Sequence, residues 1–188
     1  EIDVILFDMD GVLVDARDWH YEALNNALAL FGHTISRYEH LVTFDGLPTS
    51  KKLELLSLDS SLPVGLHGII NEIKQQYTHQ FFQINCRPDY TLEYTMSRLS
   101  REGFRLGCCS NSIRKSLETV MTLTHLDKYM SVLLSNEDVT KPKPDPEIYQ
   151  KAMRLLSVHP ERCVIVEDNP NGIKAARDAG AHVFEVSS

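Results

Sequence analysis

The sequence has little cysteine, and its cysteines are not spaced for a metal or redox site. Only four of the 188 residues are cysteine, namely Cys86, Cys108, Cys109 and Cys163, and no two of them form a C-x-x-C pair. Cys108 and Cys109 are adjacent in an apolar run of strand character, so their side chains point to opposite faces. The eight histidines lack the H-E-x-x-H spacing of a zinc site. We therefore expect buried thiols that behave as small apolar side chains, and no zinc.

Long hydrophobic runs and an excess of positive charge are also missing. No apolar run reaches the length of about 20 residues that a membrane span needs, and no cationic segment precedes an apolar one as in a signal peptide. The 19 basic and 26 acidic residues leave a net charge of -7, which argues against a general affinity for nucleic acid or anionic membranes. We expect a cytoplasmic, soluble protein, either a monomer or a weak homodimer, with neither nucleic acid nor membrane as a partner.

The first element of the chain is an apolar run that ends on acidic residues. Residues 4–7 are apolar, and Asp8, Asp10 and Gly11 follow. This pattern predicts a buried parallel strand whose carboxyl end lies at a ligand site. Two aspartates so close together repel each other unless a cation, a shared proton or water offsets the charge. Mg²⁺, which prefers oxygen ligands, is the simplest such cation. The alternative is a solvated acidic turn after an ordinary strand.

The rest of the chain divides into a helical insertion and an alternating α/β part. Apolar residues recur at helical spacing from about residue 15 to residue 83, without an intervening strand. From Pro88 onward, helical segments alternate with short apolar runs, which predicts a parallel sheet with helices on both faces. We therefore predict one discontinuous α/β core domain and an all-helical cap domain. The core covers residues 1–14 and 84–188, the cap covers 15–83, and later strands cover 104–109, 131–134, 163–166 and 182–186.

Polar residues follow several of the predicted strands. Ser110 and Asn111 come after the second strand, Lys141 lies in a proline-rich loop, and Glu167 and Asp168 come after a later buried strand. Each has an ordinary alternative: a helix cap for the serine and asparagine, a solvated lysine, or a turn into a helix for the acids. The prolines beside Lys141 restrict its loop. The joint placement of these groups beyond strand ends indicates one site more strongly than any single group does.

In order and position, these motifs resemble those of the haloacid dehalogenase superfamily of phosphotransferases. The matching segments are Asp8-Met9-Asp10-Gly11, Ser110, Lys141 in a K-P-x-P-D motif, and Glu167-Asp168 with Asn171-Gly172. The resemblance spans the whole chain and is nearest to β-phosphoglucomutase-like and phosphoglycolate-phosphatase-like members with a small helical cap. It implies a Rossmann-like sheet in which the strands carrying Asp8, Ser110 and Glu167 are neighbours. Members of this family usually continue through another strand and helix beyond the position of Ser188.

The resemblance also implies roles for the motif residues. Asp8 is expected to be the nucleophile that becomes an aspartyl-phosphate, and Asp10 the general acid and base. Mg²⁺ is expected on Asp8, the main-chain carbonyl of Asp10, Asp168 and, directly or through water, Glu167. The groups expected to bind the transferring phosphate are Ser110, Asn111 and Lys141. Because dehalogenases and phosphonatases lack an acid at the position of Asp10, its presence favours phosphate-ester chemistry.

The cap is expected to set the specificity for a small phosphorylated metabolite. The residues that match substrate-contacting positions of the family pattern are His20, Gly46, Thr49 and Lys74. Where the mutase pattern has an arginine for a second phosphate, this chain has Thr49, followed by Lys51 and Lys52 as substitutes or as solvated residues. The sequence therefore favours a phosphatase. A β-phosphoglucomutase-type mutase is the alternative, and a catalytically inactive binding module is a third interpretation.

Replacement of Asp8 by asparagine tests its expected role as the nucleophile. Asp8→Asn should abolish Mg²⁺-dependent release of phosphate while the protein stays folded, because an amide cannot attack phosphorus as a carboxylate does. The rate of phosphate release and the circular dichroism spectrum test this together. A folded variant with activity near that of the wild type would remove Asp8 as the nucleophile.

Overall fold

A computed structural model describes residues 1–186 of the chain, which form two compact units. The first unit contains residues 1–15 and the chain from Cys86 onward, and the second contains Ala16–Asn85. The predicted cap is residues 15–83. Every strand lies in the first unit, whereas the second unit is helical.

Five strands and eight α-helices make up the described residues, with short 3₁₀ turns between them. The strands are β1 (Val4–Phe7), β2 (Arg105–Cys109), β3 (Met130–Leu134), β4 (Cys163–Glu167) and β5 (His182–Glu185). The helices are α1 (Arg17–Ala29), α2 (Arg37–Glu39), α3 (Thr49–Asp59), α4 (His67–Asn85), α5 (Tyr90–Arg101), α6 (Arg114–Leu123), α7 (Glu147–Leu155) and α8 (Pro170–Asp178). Within residues 1–186, none of these helices is both long and apolar enough to cross a membrane.

The strands form one parallel sheet in the order β3-β2-β1-β4-β5, which confirms the predicted fold class. The chain runs outward from β1 through β2 to β3 and then returns to the other side of β1 for β4 and β5. Since parallel crossovers are right-handed, the two directions place helices on opposite faces of the sheet. The central position of β1 brings Asp8 between the ends of β2 and β4, which are the strands that precede Ser110 and end at Glu167.

The apolar run of β1 is buried because helices cover both faces of a central parallel strand. Val4 and Leu6 are fully buried, and their cluster includes Ile165 of β4 and Tyr149 of α7. The four cysteines are free and buried, as expected from their apolar surroundings.

The helical unit has an apolar cluster of its own. Leu24 and Leu28 of α1 pack there with Leu53 of α3 and Ile70 of α4. Helix α2 and the π-helical turn His40–Phe44 that follows it were not predicted from the sequence. A local signal for α2 was present, because Ser36 and Glu39 form a capping box at its start.

A glycine in the middle of β2 supplies a stability prediction. A Cβ at Gly107 would lie 2.5 Å from Val132 Cγ1 and 2.9 Å from Leu6 Cδ2, so Gly107→Ala overpacks the sheet. The free energy of unfolding should fall by about 1–3 kcal/mol in denaturant titrations. Gly68→Ala, where a Cβ meets nothing within 4 Å, is the matched control and should stabilise helix α4 by up to about 1 kcal/mol. A Gly107→Ala protein as stable as the wild type would contradict the packing argument.

Candidate active site

Three acidic side chains meet where β1 and β4 end side by side. Asp8 directly follows β1, Glu167 is the last residue of β4, and Asp168 comes next. The Asp8 N–H donates to the Val166 carbonyl at 3.0 Å, which keeps the two strand ends in register. One carboxylate oxygen from each of the three acids lies within 4.8 Å of the others. This is the edge of an open α/β sheet at which ligands bind.

Two glycines leave the space that these carboxylates occupy. A Cβ at Gly172, in helix α8, would lie 1.9 Å from Glu167 Oε1. A Cβ at Gly11 would lie 2.0 Å from Asp168 Oδ2, and Gly11 has a φ of +92°, which glycine adopts readily. Any other residue at these two positions would displace an acid from the cluster.

The cation at the centre of the cluster is Lys143. Its ammonium donates to Asp8 Oδ1 at 2.7 Å, to Glu167 Oε1 at 2.7 Å and to the Cys109 carbonyl at 2.8 Å. The Lys143 side chain is only 3% exposed, so these contacts are shielded from water. Because an ammonium has three hydrogens, each one has an acceptor. Lys143 thereby joins the ends of β1, β2 and β4.

Lys141 was predicted to bind the phosphate at the site of Asp8, and this prediction is wrong, because Lys143 and not Lys141 contacts Asp8. Lys141 is exposed, and its main-chain N–H donates to the Glu147 carboxylate at 2.9 Å, together with both donors of Thr140. The two lysines are hard to tell apart in the sequence, because each one begins a K-P-x-P motif and the two motifs overlap by two residues. Glu147 binds the first part of this loop at the start of α7, and the second lysine reaches the site.

The charges of the cluster are not balanced by Lys143 alone. Burial raises the pKa of Asp8 well above its usual value; Lys143 opposes the rise, whereas Glu167 and Asp10 add to it. Burial by itself would lower the pKa of Lys143, but the carboxylates of Asp8 and Glu167 outweigh it and raise that pKa. The lysine therefore stays charged, and the acids around it favour a further cation.

Ser110, Asn111 and Asp10 take part in two separate sets of hydrogen bonds near this cluster. The amide of Asn111 donates to the Lys143 carbonyl at 3.1 Å and accepts the Lys143 N–H at 3.0 Å, so it positions the lysine loop. The hydroxyl of Ser110 is buried and accepts the Ser112 N–H at 3.0 Å. The hydroxyl of Ser112 in turn donates to Asp10 Oδ2 at 3.2 Å. Asp10 itself is partly exposed.

The predicted cap residues lie within the helical unit. Lys74 is 6% exposed, and its ammonium is 3.4 Å from His20 Nδ1. Gly46 has a φ of +70° in the turn before α3, and Thr49 is the first residue of that helix.

The two lysines that follow Thr49 have different environments. Lys51 is exposed and pairs with Glu54, whereas Lys52 is buried.

His40 of the same unit is a buried group that the sequence analysis did not identify. It is 3% exposed, and neither ring nitrogen has a hydrogen-bond partner among the described residues. Burial and the nearby charge of Lys52 lower the pKa of His40 to about 4, so the imidazole is neutral near pH 7.

Tyr149 and Ser112 are two further residues near the cluster that were not predicted from the sequence. Tyr149 is fully buried in α7, and its hydroxyl donates to Glu167 Oε1 at 2.5 Å. A tyrosine on the apolar face of a helix is a usable signal, because a buried hydroxyl needs a partner. Ser112 had no comparable signal, since its contact with Asp10 joins residues that are 102 positions apart.

The acidic cluster fits a hard divalent cation such as Mg²⁺. Asp8, Glu167 and Asp168 offer carboxylate oxygens, which Mg²⁺ prefers, and few protein ligands suffice because the ion retains water and substrate oxygens. Glu167 Oε2 is buried and has no hydrogen-bond partner within the described part of the chain. A buried acceptor without a donor is costly unless a ligand satisfies it.

Comparison with known proteins identifies the family. Residues 5–186 match the haloacid dehalogenase-like hydrolases, and the chain belongs to this family. A pyrophosphatase PpaX from Anoxybacillus flavithermus is 29% identical over 193 residues, which cover 99% of this chain and 84% of the relative. A phosphorylated carbohydrates phosphatase from Thermotoga maritima is 29% identical over 182 residues, which cover 95% of this chain and 82% of the relative.

Solved structures show the same fold. CbbY from Rhodobacter sphaeroides, crystallised in complex with xylulose-(1,5)bisphosphate, has a TM-score of 0.88 at 24% identity; the match covers 100% of this chain and 87% of that one. A β-phosphoglucomutase from Clostridium difficile has a TM-score of 0.84 at 22% identity, with coverage of 100% and 84%. At these identities the likeness concerns the fold alone.

The two lysines of the proline-rich loop supply a matched test. Lys143→Met leaves two buried carboxylates without their cation and should lower the free energy of unfolding by about 3–5 kcal/mol in metal-free buffer. Lys141→Met changes an exposed side chain and should stay within about 0.5 kcal/mol of the wild type. Chemical denaturation of both variants checks this. Equal effects of the two substitutions would contradict the assignment of Lys143.

Proposed function

We propose that this protein is a Mg²⁺-dependent phosphatase that hydrolyses the phosphate ester of a small metabolite through an aspartyl-phosphate on Asp8. The observation that carries the proposal is the placement of Asp8, which contacts the ammonium of Lys143 at 2.7 Å and lies in a cluster with two further acids. A carboxylate can attack an anionic phosphate only where cations reduce the repulsion between them.

The metal ligands in this proposal are Asp8, Asp168, the main-chain carbonyl of Asp10 and Glu167. When bound, Mg²⁺ neutralises charge on the phosphate and polarises the phosphoryl group. The close approach of Asp168 to Gly11 and of Glu167 to Gly172 supports this assignment, because both contacts bring the acids into one cluster.

In the first half of the reaction, a carboxylate oxygen of Asp8 attacks phosphorus, and the bond between phosphorus and the ester oxygen breaks. Asp10 gives its proton to the departing oxygen, which leaves as an alcohol. Ser112, whose hydroxyl is 3.2 Å from Asp10 Oδ2, restrains this carboxyl group. Lys143 keeps its positive charge beside Asp8 throughout the step.

In the second half, a water molecule attacks phosphorus of the aspartyl-phosphate, and Asp10 takes a proton from that water. The bond between phosphorus and the Asp8 oxygen breaks, so that inorganic phosphate leaves and the Asp8 carboxylate is restored. Asp10 is again protonated and ready for the next substrate. Asp10 therefore donates a proton in the first half of the reaction and accepts one in the second.

In this proposal the phosphate group of the substrate binds beside the acidic cluster. Ser110 provides a buried hydroxyl for a phosphate oxygen, and Asn111 acts on the phosphate site by holding Lys143. The cap residues proposed to contact the substrate are His20, Gly46, Thr49 and Lys74. The names of two relatives, a pyrophosphatase and a phosphorylated carbohydrates phosphatase, support a small phosphorylated molecule as the substrate class.

The proposal is tested by incubating the protein and Mg²⁺ with sugar phosphates, pyrophosphate and p-nitrophenyl phosphate. Free phosphate and sugar-phosphate isomers are measured in the same samples. We expect phosphate release that stops on chelation and in Asp8→Asn but persists in Lys141→Met. Conversion of β-glucose 1-phosphate to glucose 6-phosphate with little release of phosphate would overturn the phosphatase in favour of a mutase. Absence of turnover and of Mg²⁺ binding would indicate a binding module.

A further inference from the structure

Tyr149 is a buried phenol that contacts the acidic cluster but takes part in no step of the proposed reaction. It lies in α7 and is completely shielded from solvent. Its hydroxyl is 2.5 Å from Glu167 Oε1, and the Lys143 ammonium lies 4.8 Å from the centre of its ring. One side chain thus contacts both an acid and the cation of the cluster, through a hydrogen bond and a cation–π interaction.

The two oxygens of Glu167 have unequal surroundings. Oε1 accepts hydrogen bonds from both Lys143 and Tyr149, at 2.7 and 2.5 Å. Oε2 is buried and has no hydrogen-bond partner among residues 1–186. Two donors on the same oxygen oppose rotation of the carboxylate, because rotation away from them would leave a buried hydroxyl and one hydrogen of the buried ammonium without an acceptor.

Packing restricts the same carboxylate from the side of α8. A Cβ at Gly172 would lie 1.9 Å from Oε1 and 2.2 Å from Oε2, so the carboxylate fills the space in which other residues carry a side chain. The contact between the Tyr149 hydroxyl and Glu167 Oε1, at 2.5 Å, is likewise shielded from water, because both residues are buried.

We propose that Tyr149 is a positioning residue for the divalent cation: its hydroxyl holds Glu167 in the orientation that leaves Oε2 available to the metal. This inference rests on the Mg²⁺ site of the proposed function and adds a residue that sets the affinity of that site. Partners that orient metal ligands typically contribute 10- to 100-fold to metal affinity. The other interpretation is a purely structural tyrosine, whose loss would lower stability without changing metal binding.

The test compares Tyr149→Phe with the wild type and with Tyr129→Phe. The first variant removes the hydroxyl but keeps the buried ring, and the second makes the same change where the hydroxyl lies 3.4 Å from Glu93, outside the acidic cluster. Mg²⁺ affinity is measured by calorimetry on the full-length chain, without substrate. We expect Tyr149→Phe to weaken Mg²⁺ binding by about 10- to 100-fold and Tyr129→Phe to leave it unchanged.

The change in melting temperature on addition of Mg²⁺ is a second measurement, which can be used even if Tyr149→Phe is less stable than the wild type. The rise in melting temperature on addition of Mg²⁺ should be smaller for Tyr149→Phe than for the wild type at the same Mg²⁺ concentration, whatever the melting temperature without metal. A lower metal-free melting temperature with an unchanged Mg²⁺-dependent rise would show a structural tyrosine and overturn the inference.

Failure of the inference can be told apart from failure of the proposed function. Equal Mg²⁺ affinity in the wild type and in Tyr149→Phe overturns the role of Tyr149 and leaves the phosphatase proposal intact. A wild-type protein that binds no Mg²⁺ overturns both. If the inference is right, the Mg²⁺ concentration for half-maximal activity rises by the same factor as the dissociation constant, and the rate at saturating Mg²⁺ stays within a few-fold of the wild type.

Discussion

The buried ammonium of Lys143 is the interaction on which the site depends. It bonds to Asp8 after β1, to the last carbonyl of β2 and to Glu167 at the end of β4, so one cation holds three neighbouring strand ends at fixed distances. Removing such a cation leaves buried carboxylates that repel each other. Helix α7 supplies the next layer, because Tyr149 lies beneath the ammonium and also binds Glu167. Stability and chemistry therefore depend on the same few contacts.

The parts of the fold and site that follow from local pattern were predictable from the sequence. The apolar runs of β1 and β4 are buried or partly buried at every position, so their composition differs from that of the amphipathic helices, and the acids that follow the apolar residues stand out. Asp8, Glu167 and Asp168 were found in this way, and the structure brings them together. That β1, β2 and β4 are neighbours came from the family resemblance, since alternating helices and strands are compatible with several sheet orders.

The parts that depend on distant contacts could not be predicted. The K-P-x-P pattern fits Lys141 and Lys143 equally well, and what separates them is the reach of one ammonium to groups 24, 34 and 135 residues away. Asn111 resembles a helix cap or a phosphate ligand in sequence, yet its amide binds the main chain of Lys143. The burial of Lys52 was equally unexpected, because charged residues near the start of a helix are usually solvated.

The third acceptor of Lys143 differs in kind from the other two, because it is the main-chain carbonyl of Cys109. Every residue type carries that carbonyl, so genetic change at position 109 cannot remove it as long as the strand keeps its register. A substitution at this position therefore leaves the anchor of the lysine in place, and the buried apolar cluster around Cys109 constrains only the size and polarity of the side chain. An insertion or deletion in β2, by contrast, would shift the carbonyl and release the ammonium. This contact therefore requires β2 to keep its length, but it does not require a particular residue at position 109.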